Sequence, residues 1–438
     1  MLNMKWCSNK PMKILHYALG FPPERTGGLV KYSLDLMNEQ ISQGHEVVMV
    51  FPGRVNFLKR EPYFKFGKRQ NIPYAELVNS LPLPLIGNIK NPKDFMKHTD
   101  SKIFINLLES EKPDVIHIHT LMGLYGEFLE EAKKHNIKIV FTTHDYFGIS
   151  PHPKMYLAGH DFVDDKKYDI WNNIRPYGSK TIKLRINQLS IYPSLRALVK
   201  KLKKSSALMN DLPEQTGWST ESDFDFQELK KYYLSMLKCV DIVHFNSSVS
   251  KKVYEQFLPH MTWKTATISI SSNNIERSGK VLLSNKKIDS IAYIGPYTEE
   301  KGFFEFLKFV KVFESENPNI SFFVMGDNSS VDIEKVTDLG RYNQGSFKKY
   351  INKIDLVILP SQWHETFGLI ATEVLSTGTK VIVSNKMGAS DIVPNWLQFD
   401  DMCNINFEYI ENKETIINII SPGEHFEKIS KLYVSLSS

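Results

Sequence analysis

Apolar residues recur along the chain in two alternating rhythms. Short apolar runs, the mark of buried strands, alternate with stretches whose apolar positions fall three and four apart, the mark of amphipathic helices. The pattern predicts a strand at 13–19 and then a helix at 29–43, with Leu29, Val30, Leu34, Leu36, Met37 and Ile41 on its apolar stripe. Gly44 ends that helix and a strand follows at 46–51. After a less regular stretch come a helix at 102–110, a strand at 114–119, a helix at 124–135 and a strand at 137–143. Strands alternating with helices imply parallel βαβ units. Residues 148–228 break the rhythm and read as an insertion, being too long for a plain loop. It returns with a helix at 227–238, a strand at 241–246 and a helix at 249–257. The polar segment 272–287 reads as a junction. Beyond it lie a strand at 288–295, a helix at 303–313, a strand at 320–325 and a helix at 347–352. Strands at 354–359 and 380–384 flank one more helix, and Met387-Gly388-Ala389-Ser390 opens another. The expected organisation is one α/β domain over 12–275, a second over 285–400, and a terminal segment at 401–438.

Composition narrows this picture little. A chain of 438 residues suits two or three domains, and 42% hydrophobic with 24% charged content is that of a soluble globular protein. No stretch approaches the ~20 apolar residues of a membrane span, and 1–13 lacks the apolar core of a signal peptide. Cys7, Cys239 and Cys403 are odd in number and unclustered, which argues against a disulfide framework or structural zinc and for a reducing cytoplasm. A net charge of +5 gives no reason to expect nucleic acid as a partner. Neither G-x-G-x-x-G nor a Walker A pattern occurs, which counts against NAD and ATP enzymes.

The chemistry concentrates in 354–385. A strand runs into Pro360-Ser361, then a loop with Trp363, His364 and Glu365, then Phe367-Gly368-Leu369 at a helix start, and Thr377-Gly378 ends the helix. The loop therefore lies at the carboxyl end of a parallel strand, where open α/β sheets bind ligands. The unpaired amides of the helix start suit a phosphate. Glu365 and Glu373 stand eight positions apart, one on the loop and one two turns into the helix. A carboxylate accepts two hydrogen bonds from a vicinal diol such as a ribose. On these residues the chain resembles the retaining glycosyltransferases of the GT-B fold, family GT4, whose signature is E-x7-E.

The resemblance implies two doubly wound Rossmann-like domains facing a cleft, with a terminal helix that crosses back to the first domain. It implies a nucleotide-sugar donor, UDP-linked by expectation, no cofactor and no bound metal, and a hydroxyl acceptor on a glycan. Glu365 would lie beside the donor sugar and Glu373 at the ribose. Lys301, in Glu299-Glu300-Lys301-Gly302, would pair with the diphosphate beside the amides of Phe367, Gly368 and Leu369. Gly27-Gly28, after the first strand, would close over the phosphates from the opposite domain. His144, at the end of the strand carrying Thr142-Thr143, would contact the sugar or the acceptor. One position departs from the family: where an arginine is usual after the strand glycine, this chain has Pro296, leaving Arg25 and Arg341 as substitute cations. That departure keeps a catalytically weak partner-binding subunit as one alternative, and a sugar-nucleotide epimerase of the same fold is the other.

His117 and His119 share one strand face and read as local packing or acceptor contacts, since no third residue is spaced to complete a metal site. The acids of Asp223-Phe224-Asp225 read as helix-start residues rather than a metal grip. Residues 180–206 hold eight basic and no acidic side chains, interleaved with apolar ones. Such a stretch either packs on its own domain or lies on an anionic bilayer. The second case predicts peripheral attachment to the inner membrane face and a lipid-linked glycan acceptor.

Overall fold

The computed structural model describes residues 11–85, 87–189, 217–327 and 333–436. The first sheet comprises β1 (Lys13–Tyr17), β2 (Glu46–Pro52), β3 (Tyr63–Arg69), β4 (Ile72–Val78), β5 (Val115–Ile118), β6 (Lys138–Thr143), β7 (Ile242–Phe245) and β8 (Lys264–Thr267). Their order is β8-β7-β6-β5-β1-β2-β4-β3, all parallel except the β3–β4 hairpin. Chain order reverses between β1 and β5, which opens a crevice at their carboxyl ends. The hairpin occupies part of the stretch expected to be irregular. β3 lies at the sheet edge with mostly exposed side chains, so it carries little of the apolar signal that marks a buried strand.

The segment expected to be a junction contains β9 (Gly279–Leu283), which pairs antiparallel with β16 (Thr415–Ile419). The sheet beyond it consists of β10 (Ser290–Ile294), β11 (Ser321–Met325), β12 (Val336–Asp338), β13 (Leu356–Leu359), β14 (Lys380–Ser384) and β15 (Gln398–Phe399). It is parallel, in the order β12-β11-β10-β13-β14-β15, with its reversal between β10 and β13. Both strand ends at that crevice run into loops named above, Gly295-Pro296 and Pro360-Ser361. The helix expected after Met387 is a single 3-10 turn, Gly388–Ile392.

Helix α1 (Gly28–Ser42) follows β1, and α2 (Lys102–Glu111), α3 (Gly126–Lys134), α4 (Phe224–Lys238) and α5 (Ser248–Phe257) complete the main first-domain helices. The second domain carries α6 (Phe303–Glu316), α7 (Gln344–Ile351) and α8 (Leu369–Leu375). The last helix, α9 (Pro422–Val434), starts at Ser421, whose side chain accepts from the amide of Glu424 at 3.1 Å. It packs on α1 of the first domain, with Phe426, Ile429 and Tyr433 buried beside Ile14, Tyr32 and Leu36. Asp223 caps α4 and, with Asp225, pairs with Arg175 at 2.5 and 3.4 Å, as helix-start acids should. Of 180–206, only 180–189 are described. There Thr181–Arg185 forms a short helix with Leu184 buried and Ile182 exposed; the lysine-rich remainder lies outside the described residues.

One face of the first sheet is apolar at one level and polar at the next. Ile14, Val115, Val140 and Ile242 sit on β1, β5, β6 and β7, all buried in one cluster. Two residues on, where the pleat returns to the same face, stand His16, His117, Thr142 and His244, also buried. α1 and α9 cover this row.

Candidate functional site

A cleft runs between the two domains. From the first domain it is lined by Thr26, Gly27, Gly28, Lys31 and Asp35; from the second by Arg341, Tyr342, Glu365, Gly368, Leu369 and Glu373. Gly27 ends the loop after β1 in a left-handed conformation, φ 120°, and its Cβ position is open, so its backbone faces unoccupied space. Opposite, Gly368 at φ 94° turns the chain into α8.

Glu373 is almost fully buried. Its Oε1 accepts from Lys31 Nζ at 2.5 Å and from Ser272 Oγ at 2.9 Å, and Lys31 also reaches Ser272. Lys31 belongs to the first domain, so this carboxylate is gripped across the cleft. At the other end, Lys301 Nζ donates to Glu365 Oε1 at 2.5 Å and lies 5.4 Å from the Trp363 ring. Gly302, next to Lys301, has φ 73°, and a Cβ there would lie 1.7 Å from the carbonyl oxygen of Pro360. Only glycine lets this loop press against the end of β13. Each of the cleft's two glutamates is thus paired with a lysine.

The predicted residues divide. Gly27, Gly28, Glu365, Gly368, Leu369 and Glu373 line the cleft together, and Lys301 joins them through Glu365. The Phe367 side chain does not line it; the ring is buried with Ile14, Tyr32 and Phe426 in the seam between the domains. Of the two substitute arginines, Arg341 lines the cleft, whereas Arg25 lines a separate depression of the first domain and donates to the carbonyl of Asn187 at 3.1 Å. His144 sits on the seam. Its carbonyl accepts from Thr366 Oγ1 at 2.9 Å, and its ring lies 4.7 Å from that of Tyr32. Burial lowers its pKa to about 3, so the imidazole is neutral. His117 and His119 are buried and hydrogen-bonded to side chains, which is packing rather than ligand contact. Together with His16 they place three ring nitrogens within 4.8 Å, the cluster the strand spacing alone did not reveal. Their ring nitrogens are hydrogen-bonded to one another and to Gln40, Tyr433, Thr142 and His144.

Sequence reasoning missed Lys31 and Ser272. Lys31 lies on α1 one turn past the Gly27-Gly28 pair, where a cation was foreseeable. Ser272 carried no signal, since only folding brings it to α8. The seam beside the cleft is tightly bonded: Tyr146 OH donates to His364 O at 2.6 Å, and Ser247 Oγ donates to Thr366 O at 2.5 Å. Lys386 pairs with Asp161 and Asp164 at 2.7 and 2.5 Å, so the insertion also reaches the second domain.

Two family models match the chain. Residues 26–182 match the model described as Glycosyltransferase Family 4, and residues 274–399 match the one described as Glycosyl transferases group 1. The chain belongs to the GT4-type glycosyltransferases of the GT-B fold. Among relatives, it is 23% identical to an uncharacterized 42.6 kDa protein of the cps region of Klebsiella pneumoniae, over 93% of this chain and 97% of that one. It is 22% identical to an uncharacterized glycosyltransferase of Methanocaldococcus jannaschii, over 87% and 83%. Among solved structures, this GT4-type chain resembles sucrose-phosphate synthase from Thermosynechococcus elongatus, with TM-score 0.54, 13% identity and 97% and 96% coverage. It also resembles the catalytic domain of starch synthase IV from Arabidopsis thaliana bound to ADP and acarbose, with TM-score 0.53, 14% identity and 98% and 100% coverage. These likenesses establish the GT-B fold, and the activity class is group 1 glycosyl transfer. No helix among the described residues is long and apolar enough to cross a membrane.

Proposed function

We propose that the cleft binds a nucleoside-diphosphate sugar, UDP-linked, and transfers the sugar with retention to a hydroxyl of a glycan. The observation that carries this reading is the pairing of the cleft's carboxylates. Glu373 stands deep in the cleft where a ribose diol could replace Lys31 and Ser272 as its donors. Glu365 stands nearer the seam, on the loop that bonds to His144. Lys301 is the diphosphate cation; ligand binding exchanges its bond with Glu365 for one with phosphate. Arg341 supplies the second positive charge that Pro296 leaves out. In the transfer, the bond from the anomeric carbon to the diphosphate breaks and the acceptor oxygen bonds to the same face of that carbon. The acceptor proton passes to the departing phosphate oxygen. Positioning and charge stabilisation supply the rate, without a bound metal. The UDP choice follows a structural neighbour, the Anabaena protein HepE solved with UDP, against the ADP of the starch synthase.

The test is turnover by the purified chain. UDP-, ADP- and GDP-sugars are screened for slow hydrolysis and transfer in the presence of a chelator. The reading expects turnover of a UDP-sugar with the anomeric configuration kept; an inverted product, or strict dependence on manganese or magnesium, contradicts it. The basic stretch 180–206 motivates the finer proposal of a lipid-linked acceptor at an anionic inner leaflet. Each lysine or arginine near such a surface contributes roughly 1 kcal/mol. Salt-sensitive co-sedimentation with anionic liposomes is expected, and a protein that stays in solution at low salt removes the membrane part alone.

A further inference from the structure

The polar row of the first sheet is one continuous chain of hydrogen bonds. Tyr433 of α9 contacts His117 Nδ1 at 2.6 Å, His117 Nε2 contacts Thr142 Oγ1 at 2.7 Å, and Thr142 Oγ1 contacts His244 Nδ1 at 2.9 Å. His244 Nε2 ends this arm on the carbonyl oxygen of Ile268 at 2.8 Å. In the other direction Tyr433 accepts from Gln40 Nε2 at 3.2 Å, and Gln40 Oε1 meets His16 Nε2 at 2.7 Å. His16 Nδ1 meets His119 Nε2 at 2.9 Å, and His119 Nδ1 meets His144 Nε2 at 3.2 Å.

A neutral imidazole donates from one nitrogen and accepts at the other, so each link fixes the next. A carbonyl can only accept, and Ile268 therefore places the hydrogen of His244 on Nε2. Nδ1 of His244 must accept, so Thr142 donates to it and accepts from His117 Nε2–H. His117 Nδ1 then accepts from the Tyr433 hydroxyl. The Tyr433 oxygen accepts from the Gln40 amide, which turns Oε1 of Gln40 toward His16. His16 becomes Nε2–H, His119 becomes Nε2–H, and His144 donates from Nε2. The opposite polarity would set a lone pair of His244 against the Ile268 oxygen at 2.8 Å, or require an imidazolium. Burial opposes the imidazolium, lowering the His244 pKa to about 4.

We propose that this chain locks His144 as the Nε2–H tautomer and offers its Nδ1 solely as a hydrogen-bond acceptor, with Gln40 and Tyr433 as positioning residues. Among the described residues Nδ1 of His144 has no partner, and the side chain keeps some solvent exposure. The group it can take is a hydroxyl that donates, on the sugar or on the acceptor; a phosphate oxygen or a carbonyl is refused. This assignment of a ligand rests on the proposed function, whereas the tautomer does not. The terminal helix becomes part of the site's wiring, because Tyr433 passes the polarity fixed at Ile268 on to a histidine on the far side of the row.

The tautomer is read in the full chain carrying ring-15N histidine, at neutral pH and without ligand. Long-range proton–nitrogen correlations separate the two nitrogens, because Nε2 couples to both ring carbon-bound protons and Nδ1 to one. The His144 signals are assigned by their loss in His144→Gln. The expected result is a single tautomer with Nε2 protonated, which becomes a mixture in Tyr433→Phe and in Gln40→Met. Ser430→Ala, on the same helix and with an unbonded hydroxyl, keeps the native tautomer. In turnover, Tyr433→Phe should lower kcat about tenfold, with nucleotide affinity unchanged, because Glu373 lies outside the chain. His144 protonated on Nδ1 in the native protein overturns the proposal, as does an unchanged tautomer in both chain variants. Failure of the native protein to bind any nucleotide would sink the donor reading and leave the tautomer result standing.

Discussion

Glu365 and Lys301 hold each other in the cleft, which separates two effects that substitution usually confounds. Replacing Glu365 by Gln removes the competitor for the lysine, so nucleoside diphosphate affinity should stay level or tighten. Turnover should fall by about 100-fold or more, the scale of losing one transition-state contact. Calorimetry and initial rates on the same variant check both halves, and a loss of diphosphate affinity would show that Glu365 binds the nucleotide instead. Gly302→Ala is a test of backbone. At φ 73° with a Cβ 1.7 Å from Pro360 O, the loop must move, and the expected loss of stability is about 1–3 kcal/mol or more in urea unfolding. At this scale the sequence was legible where a motif fixed the spacing. Glu365, Gly368 and Glu373 do line one cleft. It was illegible where folding alone supplies the neighbour, as Ser272 does for Glu373, 101 residues away.

The elements follow the same division. The strand expected at 380–384 is β14, because a continuous apolar run between Gly378 and a turn leaves no other reading. β9 was invisible because its partner, β16, lies more than a hundred residues later, and the exposed but apolar Leu282 and Ile416 blur the polar–apolar alternation of the two strands. The row of His16, His117, Thr142 and His244 was present in the letters of four strands, each with a polar residue two places after an apolar one. Its meaning needed α9, whose Tyr433 and His425 supply partners for the row and for Tyr32. The α1–α9 contact predicts a stability effect far from the cleft. Phe426→Ala and Ile429→Ala remove buried side chains from the seam and should each cost about 2–5 kcal/mol. A change under 0.5 kcal/mol in either would show that α9 is not anchored on the first domain.

For the whole molecule, five neutral imidazoles buried in one place, with the half-buried His144 beside them, make stability depend on pH. Burial holds His16 and His244 at about 4 and His144 at about 3, and pushes His117, His119 and His425 well down. Below the ordinary 6.5 the unfolded chain takes up protons that the folded protein refuses. The stabilising effect is therefore complete above 6.5 and is lost as pH falls toward about 4. Each histidine contributes up to about 1.4 kcal/mol per pH unit in that window. Urea midpoints should drop steeply between pH 7.5 and 5.5; a flat profile would mean the row is solvated. The two-domain plan was legible from the alternation of strands and helices, but the cross-domain grip of Lys31 on Glu373 was not, since each belongs to a different domain. That grip carries the central claim, a nucleotide bound across the cleft with its ribose on Glu373. The most direct measurement is a calorimetric titration of UDP into the native chain and into Glu373→Ala. The native chain should bind with an affinity that falls at least tenfold in the variant, the loss of a charge-assisted pair of hydrogen bonds. Equal affinity in the two proteins would contradict it.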